Sequence, residues 1–164
     1  MQTFVPSGSF TEIARILDNK RLNKQALEGW QILMNLLELD PEGNHRTPKG
    51  WSNHPAVKMW KGHEVRLYMY ILAMTDEWKR RGFKTTIADK ASATIKIARE
   101  RGLIPDPVHS VGDPPWLHLE PIRSSHRRAL LVKDYGWYSQ FHWPEDPGHP
   151  VESYEYVWPT EGER

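Results

Sequence analysis

Residues 10–38 read FTEIARILDNKRLNKQALEGWQILMNLLE, and this stretch decides the fold. Strong helix formers fill it, it holds no Pro, and its first Gly is Gly29. Ser9 and Glu12 make the S-x-x-E pattern of a capping box. A helix is therefore expected from Ser9 to about Glu38, bending near Asp18-Asn19. Phe10, Ile13, Leu17, Leu27, Trp30, Leu33, Met34 and Leu37 form its expected apolar set. A second stripe is polar. Asp18, Arg21, Gln25 and Glu28 recur at steps of three, four and three, which puts them along one face. Two acids, a guanidinium and an amide in one row point to a shared polar surface or pocket.

Outward from this helix, DPEGNHRTPKGW (40–51) reads as a loop. A second helix is expected to open at Asn53 as N-cap, with Pro55 in its first turn, and to run to Arg81 before Gly82. Val57, Trp60, Leu67, Ile71, Met74 and Trp78 mark its core stripe. Glu64 falls on that stripe, either paired with a nearby base or serving as a pocket carboxylate. A third helix is expected over Thr86–Arg101, with Ile87, Ala91, Ile95 and Ala98 inward. After the proline-rich segment 104–115, a short helix is expected over Ser124–Lys133, followed by the aromatic run Tyr135–Trp143. No repeat and no strand pattern appears. The expected fold is mostly α: a compact single domain of three principal helices, a short C-terminal helix and an extended Pro-rich tail. The domain spans 1–143 and the acidic tail 144–164, the latter lying on the body or partly disordered.

The chain has 164 residues, enough for one hydrophobic core, and eight Trp that suit either a core or the stacking of bases. It has no Cys, which excludes disulfides, thiolate zinc sites and Cys nucleophiles. No basic segment followed by an apolar run opens it, and no apolar run is long enough for a membrane span, so a cytoplasmic protein with no membrane partner is expected. The net charge of +1 hides an asymmetry. Residues 145–164 carry six acids against Arg164, a balance of −5, which leaves +6 on the rest. A basic body suits a polyanion.

Eight histidines raise the question of a metal. His45, His54 and His63 lie in or near the second helix; His109, His118, His126, His142 and His149 are scattered. None forms a tight ligand pair, so no metal and no cofactor is expected. Nucleophile-elbow, phosphate-cradling and dinucleotide motifs are absent too. Two basic clusters remain, Lys20-Arg21-x-x-Lys24 and Arg123-x-x-His126-Arg127-Arg128. Guanidinium groups, hydroxyls and helix N-termini suit phosphate oxygens, and the aromatic run beyond the second cluster suits base stacking. The combination points to nucleic acid.

Several strings carry a resemblance. Asn53-His-Pro-Ala-Val-Lys-Met-Trp-Lys-Gly-His-Glu64 and Asp76-Glu-Trp-Lys-Arg-Arg-Gly-Phe83 resemble the second helix of the pyrimidine-dimer DNA glycosylases of the endonuclease V type, whose helix opens on Gly-His and ends in Lys-Arg-Gly-Phe. Ile13 through Gln31 is similar to the first helix of that family, and Arg123–Trp143 to its last helix and aromatic segment. Leu17-Asp-x-x-Arg-Leu-x-Lys-Gln-x-x-Glu28 and Trp51-x-Asn-His-Pro-Ala-Val-x-Met-Trp60 resemble a bacterial and phage branch of it.

The resemblance implies an all-α enzyme that flips a base out of damaged duplex DNA and cleaves its N-glycosidic bond without metal. It implies an N-terminal α-amine that forms an imine with the sugar, a supporting first-helix Glu, and Arg residues on phosphates. The chain departs from the pattern in two places. Residue 2 is Gln, which disfavours removal of the initiator and leaves the free amine on Met1. The Arg-Glu pair of the family falls on Lys24-Gln25, so the carboxylate passes to Glu28 or Asp18 on the same face. The expected catalytic set is Glu28, Asp18, Met1 and Gln25. The expected substrate contacts are Arg21, Lys24, Asn53, His54, Glu64, His126, Arg127 and Arg128. The expected activity is a DNA N-glycosylase, with AP-lyase chemistry at the Met1 amine. Its alternatives are a non-catalytic damage-recognition module on the same fold and an N-glycosidase acting on free nucleotides.

Overall fold

The computed structural model describes residues 1–106 and 111–164; His109 lies outside the described residues. The first helical stretch forms two helices, α1 (Phe10–Ile16) and α2 (Asn19–Leu37). Leu17 and Asp18 are extended between them, a full break where a bend is expected. Asp18 causes it: its carboxylate accepts from the Arg21 N–H and caps α2. The capping box at α1 is half formed. Ser9 Oγ accepts from the Glu12 N–H, but the Glu12 carboxylate turns to Ser7 Oγ at 2.6 Å.

The expected second helix also divides. Trp51–Asn53 is a 3-10 turn, α3 spans Pro55–Lys58 and α4 spans Glu64–Arg80. Gly62, at φ 82°, takes the left-handed conformation that separates α3 from α4. His54, and not Asn53, caps α3, with Nδ1 accepting from the Ala56 N–H at 3.1 Å. α5 spans Ile87–Glu100 and α6 spans Glu120–Lys133. α6 starts four residues earlier than expected because Pro121 occupies its first turn, where a missing N–H costs nothing. The aromatic run forms α7 (Tyr135–Tyr138) and the 3-10 turn Ser139–Phe141.

The described residues are helical, with no strand beyond an isolated bridge between Leu39 and His45. The fold class is mostly α, in a single compact domain. No helix is long and apolar enough to cross a membrane among the described residues.

α4 sits at the centre, against α1, α2 and α5. Val57, Trp60, Leu67, Ile71 and Met74 are buried as the stripe predicts. Gly29 permits the close approach of α2: a Cβ there would meet Ile71 Cγ1 at 2.8 Å. Leu27 is a correction, 41% exposed, because the buried stripe of α2 runs through Leu22, Ala26, Trp30 and Leu33 and leaves it on the far side. The segment from Pro144 lies on the body as an arm. Glu145 accepts from Arg127, Ser153 O from Arg128 Nε, and the Val157 N–H donates to Ser125 Oγ.

One buried ion cluster locks the corner between α1 and α2. Glu77 is buried in the last turns of α4 and accepts from Arg80 at 2.7 and 2.6 Å and from Arg81 at 3.0 Å. Arg81 carries on to Asn19 Oδ1, Ala14 O and Arg15 O. The bonds from Arg80 hold the Glu77 carboxyl below its ordinary value, against the upward pull of burial. Glu77→Ala would leave Arg81 without its carboxylate, so urea unfolding should show a loss of about 2 kcal/mol with an unchanged slope. An unchanged midpoint would mean the cluster contributes nothing.

Candidate active site

The polar face of α2 receives the start of the chain. Residues 2–5 are buried, yet they belong to no sheet, so their backbone groups need side-chain partners. Gln25, 1% exposed, supplies two: Oε1 accepts from the Phe4 N–H at 2.7 Å and Nε2 donates to Gln2 O at 2.9 Å. The Tyr70 hydroxyl donates to Phe4 O and lies 2.8 Å from Gln25 Oε1. Trp60 Nε1 donates to Thr3 Oγ1, and the Val5 N–H donates to His126 Nδ1. The Gln2 N–H donates to Glu28 Oε2 at 3.0 Å. The stripe is thus a dock for residues 2–5, and it brings the chain's start onto Glu28.

Each expected site residue then has a definite place. Glu28 lines a cleft of about 380 Å³ with Met1, Gln2, Gln25, Lys20, Arg21, Lys24, Lys133, Tyr154 and Tyr156. Lys24 Nζ stands 3.5 Å from Glu28 Oε1. Arg21 bonds to Asp18 and reaches Lys133 O. Lys20 and Lys133 have no ion-pair partner among the described residues. The cleft therefore carries one carboxylate beneath a rim of four cations, a field suited to a polyanion. Met1 also walls a second cleft of about 380 Å³, lined by Trp30, Met34, Trp51, Val57, Arg46 and Lys49 among others.

Other expected site residues are engaged in contacts within the fold. Asp18 is spent on structure: it caps α2, pairs with Arg21 at 3.1 Å and accepts from the Tyr138 hydroxyl. Burial pulls its carboxyl upward, but the Tyr138 and Arg21 hydrogen bonds outweigh that and hold it below its ordinary value. Burial and the bond to Asp18 push the Tyr138 phenol well up. Gln25 is the receptor of residues 2–5, with both ends of its amide engaged. Glu64 opens α4, accepts from the Gly62 N–H at 2.9 Å and makes no salt bridge among the described residues. His126 is fully buried, and Phe4, Tyr156 and Trp158 surround its ring. Burial drives its pKa from 6.5 to about 3. A neutral, enclosed imidazole does not reach phosphate.

Arg127 is equally committed, to Glu120, Glu145 and Pro6 O, and the Glu145 bond raises its pKa. Arg128 stays at the surface with Nε on Ser153 O. Asn53 is exposed in its 3-10 turn. His54 packs between Trp51 and Trp158, and its pKa is lowered by burial and then by the N-terminal charge, against the opposing pull of Glu28. Among the described residues no group of three or more His, Asp or Glu is placed to hold a metal.

Lys133, Tyr154 and Tyr156 are cleft residues that the sequence reading missed. Lys133 ends a helix like any C-terminal cation, and the tyrosines lie in a tail whose course no periodicity announces. Conversely, much of the aromatic run singled out for stacking packs on itself, although Trp137 stays 37% exposed. Tyr138, Phe141 and Trp143 stack on one another, 5.3–6.3 Å apart.

An all-α body with a carboxylate under a cationic rim, met by the chain's own N-terminus, fits a protein that works on DNA glycosyl bonds. A match to the family described as pyrimidine dimer DNA glycosylase covers residues 1–91, from the N-terminus into α5. The chain belongs to the pyrimidine dimer DNA glycosylase family. The family implies DNA as the substrate class. No curated protein and no solved structure gives a match.

Proposed function

We propose that this protein is a DNA N-glycosylase with AP-lyase activity, acting on a damaged or modified base. The observation that carries this reading is the 3.0 Å bond from the Gln2 N–H to Glu28, which keeps the chain's first residue beside the cleft carboxylate. Lys20, Arg21, Lys24 and Lys133 hold phosphates on both sides of an extruded nucleotide, which enters between them. His54 lies near enough to feel both the N-terminal charge and Glu28. The Met1 amine attacks C1′ of the sugar, and the bond from C1′ to the base nitrogen breaks. The base leaves with its electron pair and takes up a proton. Opening of the sugar ring then gives the imine. Glu28 stabilises the positive charge that develops at C1′ and afterwards accepts the C2′ proton whose loss expels the 3′ phosphate.

The test is strand scission on ultraviolet-irradiated, abasic and modified duplexes, with and without hot alkali, together with borohydride trapping. Base release should expose alkali-labile sites. Borohydride should trap the protein on abasic DNA, and acetylation of the N-terminus should abolish the adduct. Tight binding with no base release on any duplex would overturn the catalytic reading in favour of a recognition module. Base release without a trapped adduct would remove the amine step alone.

A further inference from the structure

The arm beyond Pro144 lies outside the matched residues 1–91, yet it forms one wall of the cleft that holds Glu28. Its three rings make a ladder. Tyr154 meets Tyr156 at 5.0 Å and Tyr156 meets Trp158 at 5.4 Å. The inner rings anchor it: Tyr156 packs on Phe4 and His126, and Trp158 on His126 and His54. The backbone is clamped on both sides of the Tyr154–Tyr156 pair, at Ser153 O by Arg128 and at the Val157 N–H by Ser125. Tyr154 is therefore not needed to hold the arm down. It is 37% exposed at the cleft end of the ladder, with Lys133 Nζ 5.2 Å from its ring centroid. An aromatic ring kept partly bare on a clamped backbone, under a cation with no ion-pair partner among the described residues that can swing to a phosphate, is prepared for an unpaired base and the phosphate attached to it.

Resting on the glycosylase reading above, we propose that Tyr154 is a specificity-determining residue of this cleft, the stacking partner of the extruded base, with Lys133 on the adjoining phosphate. The stack gives the site a preference for a nucleotide that still carries its base. Once the base has left, only the phosphate contacts hold the product.

The test compares the wild type with Tyr154→Leu and Tyr154→Phe by fluorescence anisotropy on two duplexes. One carries an ultraviolet photoproduct, and the other an abasic site at the same place. Tyr154→Leu should lose about tenfold in affinity for the photoproduct duplex and little for the abasic one, as expected for one lost base–aromatic stack. Tyr154→Phe should match the wild type on both. A far-ultraviolet circular dichroism spectrum and a urea midpoint that match the wild type report that Tyr154→Leu is folded. Equal losses on the two duplexes, or no loss on either, would overturn the stacking role. A wild type that binds both duplexes no better than undamaged DNA would instead sink the glycosylase reading on which the proposal rests.

Discussion

Glu28→Gln should lower base release by about 10²–10⁴-fold, the range for removing a positioned acid–base or electrostatic group. The amide keeps an oxygen for the Gln2 N–H, so residues 2–5 stay docked and the fold is retained. What is lost is the negative charge beneath the cationic rim and the ability to accept a proton. Binding of damaged duplex should be unchanged or slightly tighter, since a carboxylate facing phosphates is removed next to Lys24. Asp18→Asn makes the contrast. Asn is also a good N-cap, so α2 persists and the rate should stay near wild type, while stability falls with the lost Arg21 pair. Single-turnover rates at saturating enzyme separate the two variants. A Glu28→Gln protein that releases base at the wild-type rate would remove Glu28 from the chemistry.

That contrast marks how far the sequence could be read. The row Asp18, Arg21, Gln25, Glu28 is visible as helical spacing; Arg21, Gln25 and Glu28 do share the cleft side of α2, while Asp18 is its N-cap. Their division of labour is set by partners remote in sequence. Asp18 meets Tyr138, Gln25 meets Gln2 and Phe4, and Glu28 meets the Gln2 N–H. Residues 2–5 have no pattern of their own, because a buried segment fed by side chains needs neither alternation nor period. The second basic cluster misled for a similar reason. His126 and Arg127 follow Arg123 as an exposed patch would, but on α6 they face inward, and the acid that neutralises Arg127 lies in the arm.

Helix existence was legible from periodicity, and the boundaries less so. Gly62 and Pro121 are ordinary break and start signals whose effect depends on the turns around them. Most of the core stripe of α4 was readable because burial on one helix face is a local property, although Trp78 ends only half-buried, stacked on Phe83. The cleft was readable only in part, since Tyr154 and Tyr156 in its wall come from an arm more than a hundred residues away from α2.

Acidification should destabilise the protein through His126, well before its carboxylates protonate. In the folded state the ring is enclosed, and Nδ1 accepts from the Val5 N–H, which fixes the neutral tautomer with its proton on Nε2. That Nε2 has no hydrogen-bond partner and sits among the rings of Phe4, Tyr156 and Trp158, where an N–H can face a π system but a full charge is not solvated. The folded-state pKa is thus depressed to about 3 from an ordinary 6.5. Below the ordinary value the unfolded chain takes up a proton that the folded chain refuses. Stability is therefore complete above about pH 6.5 and falls by about 1.4 kcal/mol per pH unit as pH drops towards 3. Near pH 4.5 the loss from this one group is about 3 kcal/mol. Asp18, Glu77 and Glu145 also sit below their ordinary values, but their contributions fade only at lower pH, through the carboxylate range. His54 and His63 shift in the same direction as His126 from only partly buried positions. His126→Asn separates the sources, because its carbonyl can still accept from the Val5 N–H and it does not titrate. Urea unfolding followed by tryptophan fluorescence should give a variant that is less stable near neutrality and much flatter between about pH 6.5 and 4.5. Equal slopes for variant and wild type would place the acid sensitivity outside His126. The same imidazole holds residues 2–5 in the dock through the Val5 N–H, so only acid near pH 3, strong enough to charge it in the folded chain, should loosen the N-terminus from Glu28.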